Sequence, residues 1–353
     1  MERMRRRLLA GIGVAGMLVG SVVGGTSVAH ADDDADPLCY TTQGTRAPFY
    51  GIPSASKVYD WQNVGAQTTR RFDEGPQIPA GLYADRYVPQ GISAWANWNG
   101  TSEDVILISA YHDADGDREP DGPSAIFGVV ASGPRTGTGL GRMLVANGHV
   151  GGIGVHRGWL YVGSESEIRG YRLDKVRGAL AGANSDHVFA RDYNRPSSYV
   201  VGFMGTGDGH LWAGDFDESS AKHLNGYVQT DSGTGALSYV GSTQVYAPKK
   251  TQGVTVTSDW VIFSTSYTRG DRGNIWVMPR NQDSLSDGNS YCFRAPSMNQ
   301  GLTVLGGRLY VGFESAAYTY TKDPGDLPRN IVDHLHSAPL GSVTGLYGGA
   351  VTD

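Results

Sequence analysis

Short apolar runs separated by polar turns recur through residues 89–353, and five of them begin with the same pattern around a glycine. These five starts are Pro89-Gln90-Gly91-Ile92, Val150-Gly151-Gly152-Ile153, Val200-Val201-Gly202-Phe203, Thr251-Gln252-Gly253-Val254 and Asn299-Gln300-Gly301-Leu302. After a turn, each is followed by a second apolar run, such as Trp260–Phe263. The common glycines lie 61, 50, 51 and 48 residues apart. A period of about 50 residues with two or more strands per unit is typical of a β-propeller.

The repeats therefore predict an all-β fold, a five-bladed β-propeller over residues 89–353. A third strand is recognisable in most units, for example at Gly273–Met278, and one short helix is predicted at Leu173–Ala181. Residues 32–88 lack the repeat and contain several prolines. They predict an N-terminal extension that wraps the propeller or donates a closing strand. The alternative is a degenerate sixth blade, which would make the propeller six-bladed.

The first 31 residues have the layout of a secretory signal peptide. The basic segment Met1–Arg7 is followed by the apolar run Leu8–Val28 and by Ala29-His30-Ala31. This order predicts cleavage after Ala31 and a secreted, extracellular protein. The arginines also fit a twin-arginine signal, so the general and the twin-arginine export routes both stay open. No later segment is long and apolar enough to predict insertion in a membrane.

The net charge of the chain narrows the classes of molecule that it is expected to bind. Cleavage after Ala31 removes four Arg and one Glu, which changes the formal net charge from −6 to about −9. An acidic surface disfavours nucleic acid and anionic membranes as partners.

The mature chain has two cysteines, Cys39 and Cys292. An even count in an oxidising compartment predicts one disulfide bond, with two separate thiols as the alternative.

Propeller geometry converts the repeats into a candidate site. The first strand of a blade starts at one end of the ring axis, and the antiparallel second strand returns to that end. Residues before each repeat glycine and residues after each second strand should therefore meet at one channel mouth. The predicted ligand-binding residues at this mouth are Gln90, His112, His149, Gln252, Tyr267 and Gln300. The candidate catalytic residues are Glu165 and Glu314 as acid and base, with Asp215 or Asp217 as the orienting group.

The loop Tyr111–Gly122 has the spacing of a calcium loop. Asp113, Asp115, Asp117 and Asp121 occupy its alternate positions on a tight turn, where their carboxylates can converge on one hard cation. The pattern departs from the EF-hand because Gly116 comes two positions early. Calcium is the predicted cofactor, and the alternative is a solvated acidic loop.

A resemblance to uncharacterised secreted propeller proteins of actinobacteria is carried by His149–Val155, by Gln252–Val256 with Phe263–Tyr267, and by Tyr291–Met298. The resemblance runs over most of residues 85–340. It implies the propeller fold and export, and it implies no reaction.

Three functions fit these features. The first is a secreted propeller that binds a small polar ligand, a glycan or a phosphorylated metabolite, at the channel mouth with the help of calcium. The second is an extracellular hydrolase of the glycosidase type that uses paired carboxylates. The third is a non-catalytic scaffold for protein interactions. Sequence motifs of serine hydrolases, zinc proteases and phosphate-loop enzymes do not occur in the chain, so no local motif decides between binding and catalysis.

Overall fold

The computed structural model describes residues 72–100, 102–182, 186–280 and 291–349. The predicted signal peptide and Cys39 lie outside these residues, and so does the side chain of Cys292. The predicted disulfide bond therefore stays a prediction. No helix among the described residues is long and apolar enough to cross a membrane.

The strands of the described residues form five antiparallel sheets of four strands each, and every sheet is one blade. Blade 1 contains β2 (Tyr87–Trp95), β3 (Asp104–His112), β4 (Ser124–Ser132) and β5 (Gly139–Val145). Blade 2 contains β6 (Gly152–His156), β7 (Trp159–Ser164), β8 (Glu167–Arg172) and β9 (Tyr193–Pro196). Blade 3 contains β10 (Phe203–Gly207), β11 (His210–Gly214), β12 (Lys222–Asp231) and β13 (Ala236–Ala247). Blade 4 contains β14 (Thr251–Val256), β15 (Trp260–Thr265), β16 (Gly273–Pro279) and β17 (Tyr291–Ala295). Blade 5 contains β18 (Asn299–Leu305), β19 (Arg308–Phe313), β20 (His334–Pro339) and β1 (Asp73–Gln77).

The five blades close into a ring, which confirms the five-bladed propeller. Five buried apolar clusters lie between neighbouring blades, and the last of them joins blade 5 to blade 1. In that last cluster Leu305 and Tyr310 of blade 5 pack with Ile106 and Ile108 of blade 1. Apolar side chains cover both faces of each sheet, because each blade is buried by the blade on either side. The described residues thus form five blades, not the alternative six.

The outermost strand of blade 5 comes from the N-terminal side of the chain. β1 pairs antiparallel with β20, and Glu74 lies opposite His336 in that pairing. The described part of the extension, residues 72–88, thereby supplies one closing strand to the last blade.

Glycines allow the innermost strands to approach one another closely around the ring axis. A Cβ atom on Gly91 would lie 2.7 Å from the Cα of Gly152, and one on Gly253 would lie 2.7 Å from the Cα of Gly301. A Cβ on Gly301 would in turn lie 2.4 Å from the backbone nitrogen of Ile92. Contacts this short leave no room for a side chain, so the repeat glycine is required by backbone packing.

Hydroxyl groups on the second strands connect one blade to the next. The Ser109 hydroxyl is fully buried. It donates to the backbone oxygen of Val150 in blade 2 at 2.8 Å and accepts from the backbone nitrogen of Gly91 at 3.0 Å. Ser264 donates in the same way from blade 4 to the backbone oxygen of Gln300 in blade 5. These bonds fix the start of each innermost strand that they reach.

The described residues also form four short helices outside the blades: α1 (Ala80–Ala84), α2 (Leu173–Ala181), α3 (Tyr318–Thr321) and α4 (Leu340–Gly349). The predicted helix over Leu173–Ala181 is α2, which packs Val176 and Leu180 into the cluster between blades 1 and 2. The other three were not evident in the sequence because they lie in connections that do not repeat. Of these, α3 contributes to the site described next.

Candidate functional site

Two sets of equivalent positions, one from each blade, line a single cavity at one end of the ring. The position before each repeat glycine is occupied by Gln90, Gly151, Val201, Gln252 and Gln300. A position within two residues of the end of each second strand is occupied by Tyr111, Glu165, Phe216, Tyr267 and Glu314. We call this space, with a volume of about 370 Å³, the mouth cavity. Its lining is completed by Arg118, His149, Val200, Gly202 and Tyr320.

The polar part of the cavity centres on Glu314, which follows β19. The Nε2 of Gln90 donates to Glu314 Oε2 at 3.0 Å, and the Tyr320 hydroxyl donates to the same oxygen at 3.3 Å. Gln300 also hydrogen-bonds this carboxylate. Gln90, Gln300 and Tyr320 are all buried. Three donors from blades 1 and 5 and from α3 therefore hold one partly exposed carboxylate in place.

Burial has the largest effect on the pKa of the Glu314 carboxyl group. It raises the pKa of Glu314 from its ordinary value of 4.5 to about 7. The hydrogen bonds from Gln300, Gln90 and Tyr320 and the charge of Arg118 act in the opposite direction and limit the rise. The pKa of the Tyr111 phenol is raised by its own burial and by the nearby Glu314 charge. Near neutral pH, Glu314 can therefore hold or release a proton within the cavity.

A loop and a helix together bring Arg118 and Tyr320 to the cavity. Arg118 lies in the segment 113–122, which we call the aspartate-rich loop, and has a backbone φ of 74°. Its guanidinium carbon lies 5.9 Å from the centre of the Tyr320 ring. The loop docks on α3, because Lys322 Nζ and the Thr319 hydroxyl donate to the Gly116 backbone oxygen at 2.8 Å and 3.2 Å. The aspartate-rich loop and α3 thus form one assembly beside Glu314.

An apolar wall faces this polar cluster across the cavity. Val201 and Phe216 belong to blade 3, and Phe216 lies 6.0 Å from Tyr267 of blade 4, measured between ring centres. The Tyr267 hydroxyl hydrogen-bonds Glu218, and Lys250 Nζ lies 5.4 Å from the centre of the Tyr267 ring. The cavity therefore has one aromatic and aliphatic side and one hydrogen-bonding side.

Glu165 and His149 lie at the exposed rim of the cavity. Glu165 has a backbone φ of 52°, and its backbone oxygen accepts a hydrogen bond from the Val201 nitrogen at 2.7 Å. The His149 ring packs on Tyr111 with 4.7 Å between ring centres. The segment before His149 is held by Arg169, whose Nη1 donates to the Ala146 backbone oxygen at 2.9 Å. The structure thus brings both predicted glutamates to one cavity, at different depths.

Three of the predicted site residues do not line the mouth cavity. His112 packs on Tyr87 with 5.1 Å between ring centres. Asp217 pairs with Lys222 at 2.8 Å, which lowers the pKa of this carboxyl. Asp215 is partly buried, and burial raises its pKa. Because neighbouring side chains along an extended chain point to opposite sides, Tyr111 and Phe216 face the cavity and the residues beside them do not.

The four predicted metal ligands do come together. One carboxylate oxygen from each of Asp113, Asp115, Asp117 and Asp121 lies within 4.8 Å of the others, and Asp113 is buried. The cluster could hold a metal ion. Of the described residues 113–122 only Arg118 lines the cavity, so the cluster lies beside the cavity and not within it.

Sequence reasoning missed Arg118, Tyr320, Val201 and Phe216. Val201 and Phe216 occupy the repeat positions used to find the glutamines and glutamates, and they were overlooked because they are apolar. Arg118 and Tyr320 lie in non-repeating connections, where the repeat provides no signal.

The chain matches no protein-family model, and no curated protein is significantly similar to it. Among solved structures it is similar to the glutaminyl cyclase of Myxococcus xanthus, with a TM-score of 0.45 and 10% sequence identity over 69% of this chain and 91% of that one. At this identity and TM-score the likeness carries no argument about function. The resemblance to actinobacterial secreted propellers stays a prediction.

Proposed function

We propose that this protein is a secreted propeller that binds a small polar ligand, most favourably a glycan end, in the mouth cavity. The observation that supports the proposal is the convergence of equivalent positions from all five blades on one cavity of about 370 Å³. That volume lies at the lower end of the range of about 300–1,000 Å³ found for small-molecule sites. It suits one or two sugar units better than an extended polymer.

The two sides of the cavity match the two sides of a sugar ring. A pyranose presents C–H groups on its faces and hydroxyl groups around its edge. Phe216 and Tyr267 offer aromatic surface to the first, while the Gln90, Gln300 and Glu314 cluster offers hydrogen bonds to the second. A phosphorylated metabolite fits less well, because the cavity contains two carboxylates and one guanidinium.

A binding assay with aromatic variants tests this proposal. We expect soluble glycans selected on a glycan array to bind the mature protein in titration calorimetry. Phe216→Ala should weaken that binding at least about tenfold, because it removes the apolar wall. Tyr239→Ala is the matched control, since Tyr239 is an exposed aromatic residue on β13 of the same blade, outside the cavity. Equal affinity in the Phe216→Ala variant and the wild type would remove the cavity as the binding site.

Calcium is the ion that we propose for the aspartate cluster. Four carboxylates on one tight loop are hard oxygen ligands, and they would repel one another without a cation. We expect calcium added after EDTA to raise the melting temperature of the wild type by several degrees, and Asp115→Ala to abolish the rise. Asp174→Ala on α2 is the control. An equal rise in the Asp115→Ala variant would show that calcium acts elsewhere.

Hydrolysis of a glycosidic bond is the second candidate function. It is favoured by Glu314, whose pKa is raised to about 7 in a cavity that also contains Glu165. An acid with a raised pKa and a second carboxylate are the pair that glycoside hydrolysis requires. In that reaction Glu314 would protonate the leaving oxygen, and Glu165 would act as base or nucleophile.

Chromogenic glycosides distinguish catalysis from binding. If the protein is a glycosidase, Glu314→Gln and Glu165→Gln should each lower kcat at least about 100-fold. Glu74→Gln, at an exposed carboxylate on β1, is the control. Turnover by both cavity variants at the wild-type rate would exclude the glycosidase mechanism and leave binding as the function.

A further inference from the structure

The amide nitrogen of each glutamine in the mouth cavity donates to an acceptor within the protein. Gln90 Nε2 donates to the Pro89 backbone oxygen at 2.9 Å and to Glu314. Gln252 Nε2 donates to the Ser266 backbone oxygen at 3.0 Å. Gln300 hydrogen-bonds the Glu314 carboxylate, so its amide nitrogen is also engaged. Because each amide nitrogen faces an acceptor, the assignment of nitrogen and oxygen follows from the contacts.

One acceptor remains without a partner inside the cavity. Gln300 is 2% exposed, and its Oε1 forms no hydrogen bond with any described residue. A buried amide oxygen left unpaired is destabilising. Gln300 lines the mouth cavity, so a ligand in the cavity can supply the missing donor. A ligand group that binds here must therefore present an N–H or O–H.

The neighbouring carboxylate also has an incomplete environment. Gln90, Gln300 and Tyr320 donate to Glu314, but none of them carries a positive charge. Among the described residues none forms an ion pair with Glu314, and Arg118 acts on it only through its charge at longer range. Partial burial without a counter-ion makes the charged form of this carboxylate costly. The complement to this arrangement is a cation with several N–H donors.

We propose that the ligand of the mouth cavity carries a primary ammonium group, which binds between Gln300 Oε1 and the Glu314 carboxylate. This inference rests on the proposed function, since it names the class of ligand for the same site. An ammonium group provides three donors and a positive charge and needs no acceptor. Among glycans, the class that meets this requirement is the amino sugars with a free amine.

The affinity of such a ligand depends on the charge of Glu314 and of the groups around it. These are Arg118 from the aspartate-rich loop, Tyr111 from β3, Tyr320 from α3, and Glu165 and His149 at the rim. Both tyrosines keep their protons because their pKa values are raised. Since the pKa of Glu314 is about 7, ionisation of this group should strengthen ammonium binding as the pH rises through neutrality.

Four probes test the ammonium group apart from the sugar ring. Glucosamine, glucose, N-acetylglucosamine and ethanolamine are titrated into the wild-type mature protein by calorimetry and by NMR. We expect glucosamine to bind at least about tenfold more tightly than glucose or N-acetylglucosamine, because only its amine is charged. Glu314→Gln and Gln300→Met should each remove most of this preference. Gln229→Met is the control, since Gln229 is a buried glutamine outside the cavity.

Each result decides between the two proposals. If the three sugars bind within about threefold of one another, the ammonium proposal is overturned and glycan binding stands. If glucosamine and ethanolamine bind equally well and glucose does not, the ammonium group is supported and recognition of the sugar ring is overturned. If no probe binds, both proposals fail. The comparison of probes on the wild type remains decisive even if Gln300→Met does not fold.

Discussion

Replacement of Glu314 by glutamine should change how the stability of the protein depends on pH. The variant keeps the size of the side chain and one oxygen that can accept from Gln90 and Tyr320, and it removes the ionisable group. In the wild type, burial raises the pKa of this carboxyl from 4.5 to about 7. At 1.36 kcal/mol per pKa unit, the rise corresponds to about 3 kcal/mol. Because Glu314 is partly exposed to the cavity, solvent screening lowers the expected effect to about 1–3 kcal/mol.

The direction of this change in stability follows from proton binding to Glu314. Between pH 4.5 and about 7 the folded protein holds the proton of Glu314 more strongly than the unfolded chain does. The free energy of unfolding of the wild type therefore falls as the pH rises through this window, relative to a protein without the group. The Glu314→Gln variant has no ionisable group at this position, so its free energy of unfolding does not fall in this way. We expect the variant and the wild type to be closest in stability near pH 4.5 and the variant to gain steadily up to about pH 8.

Urea unfolding followed by tryptophan fluorescence measures this difference, and the chain contains seven tryptophans as probes. Glu165→Gln is the matched control, because Glu165 lines the same cavity but is exposed at the rim. A pH dependence shared by both variants would assign the change to the loss of a cavity charge and not to the burial of Glu314. A constant difference between Glu314→Gln and the wild type across the same range would refute the argument that burial shifts Glu314.

Three further predictions concern contacts around the ring. Gly253→Ala should destabilise the propeller by about 1–3 kcal/mol, because its Cβ would lie 2.7 Å from Gly301 Cα. Gly81→Ala is the control, since its Cβ meets nothing within 4 Å, and equal melting temperatures of the two variants would contradict the prediction. Ser109→Ala should cost about 1–3 kcal/mol in urea unfolding by leaving the Val150 oxygen and the Gly91 nitrogen unpaired, and an unchanged midpoint would count against the link between blades. Tyr320→Phe should raise the pKa of Glu314 further, since its hydroxyl lowers that pKa, and the pH window of the stability change should move upward; a window that stays in place would show that this bond is unimportant.

The repeat made the fold and much of the cavity predictable from sequence. Gln90, Gln252 and Gln300 precede equivalent glycines, and strand direction alone places them with Glu165 and Glu314 at one end of the ring. A propeller repeats its backbone geometry from blade to blade, so these positions follow from the repeat without side-chain packing.

The repeat could not predict which side chains near a strand end face the cavity, or which distant segments dock beside it. Selecting polar residues near a strand end ignores the alternation of side chains, so Asp215 and Asp217 were chosen on either side of Phe216, which faces the cavity. The contribution of Tyr320 depends on the docking of α3 against the aspartate-rich loop through Lys322, a contact between segments 206 positions apart. Such tertiary contacts leave no local pattern in a single sequence.

The closing strand of blade 5 has a consequence for the order in which the chain becomes available during synthesis. Gln77 of β1 and Asp333, just before β20, are hydrogen-bonded partners 256 positions apart, so β1 leaves the ribosome long before its partner exists. A strand that waits unpaired is exposed to pairing with the wrong edge. β1 reads Asp-Glu-Gly-Pro-Gln, and its acidic residues and Pro76 are the kinds of residue that discourage such pairing. The same five residues that close the ring are therefore suited to remain single until the last blade is made.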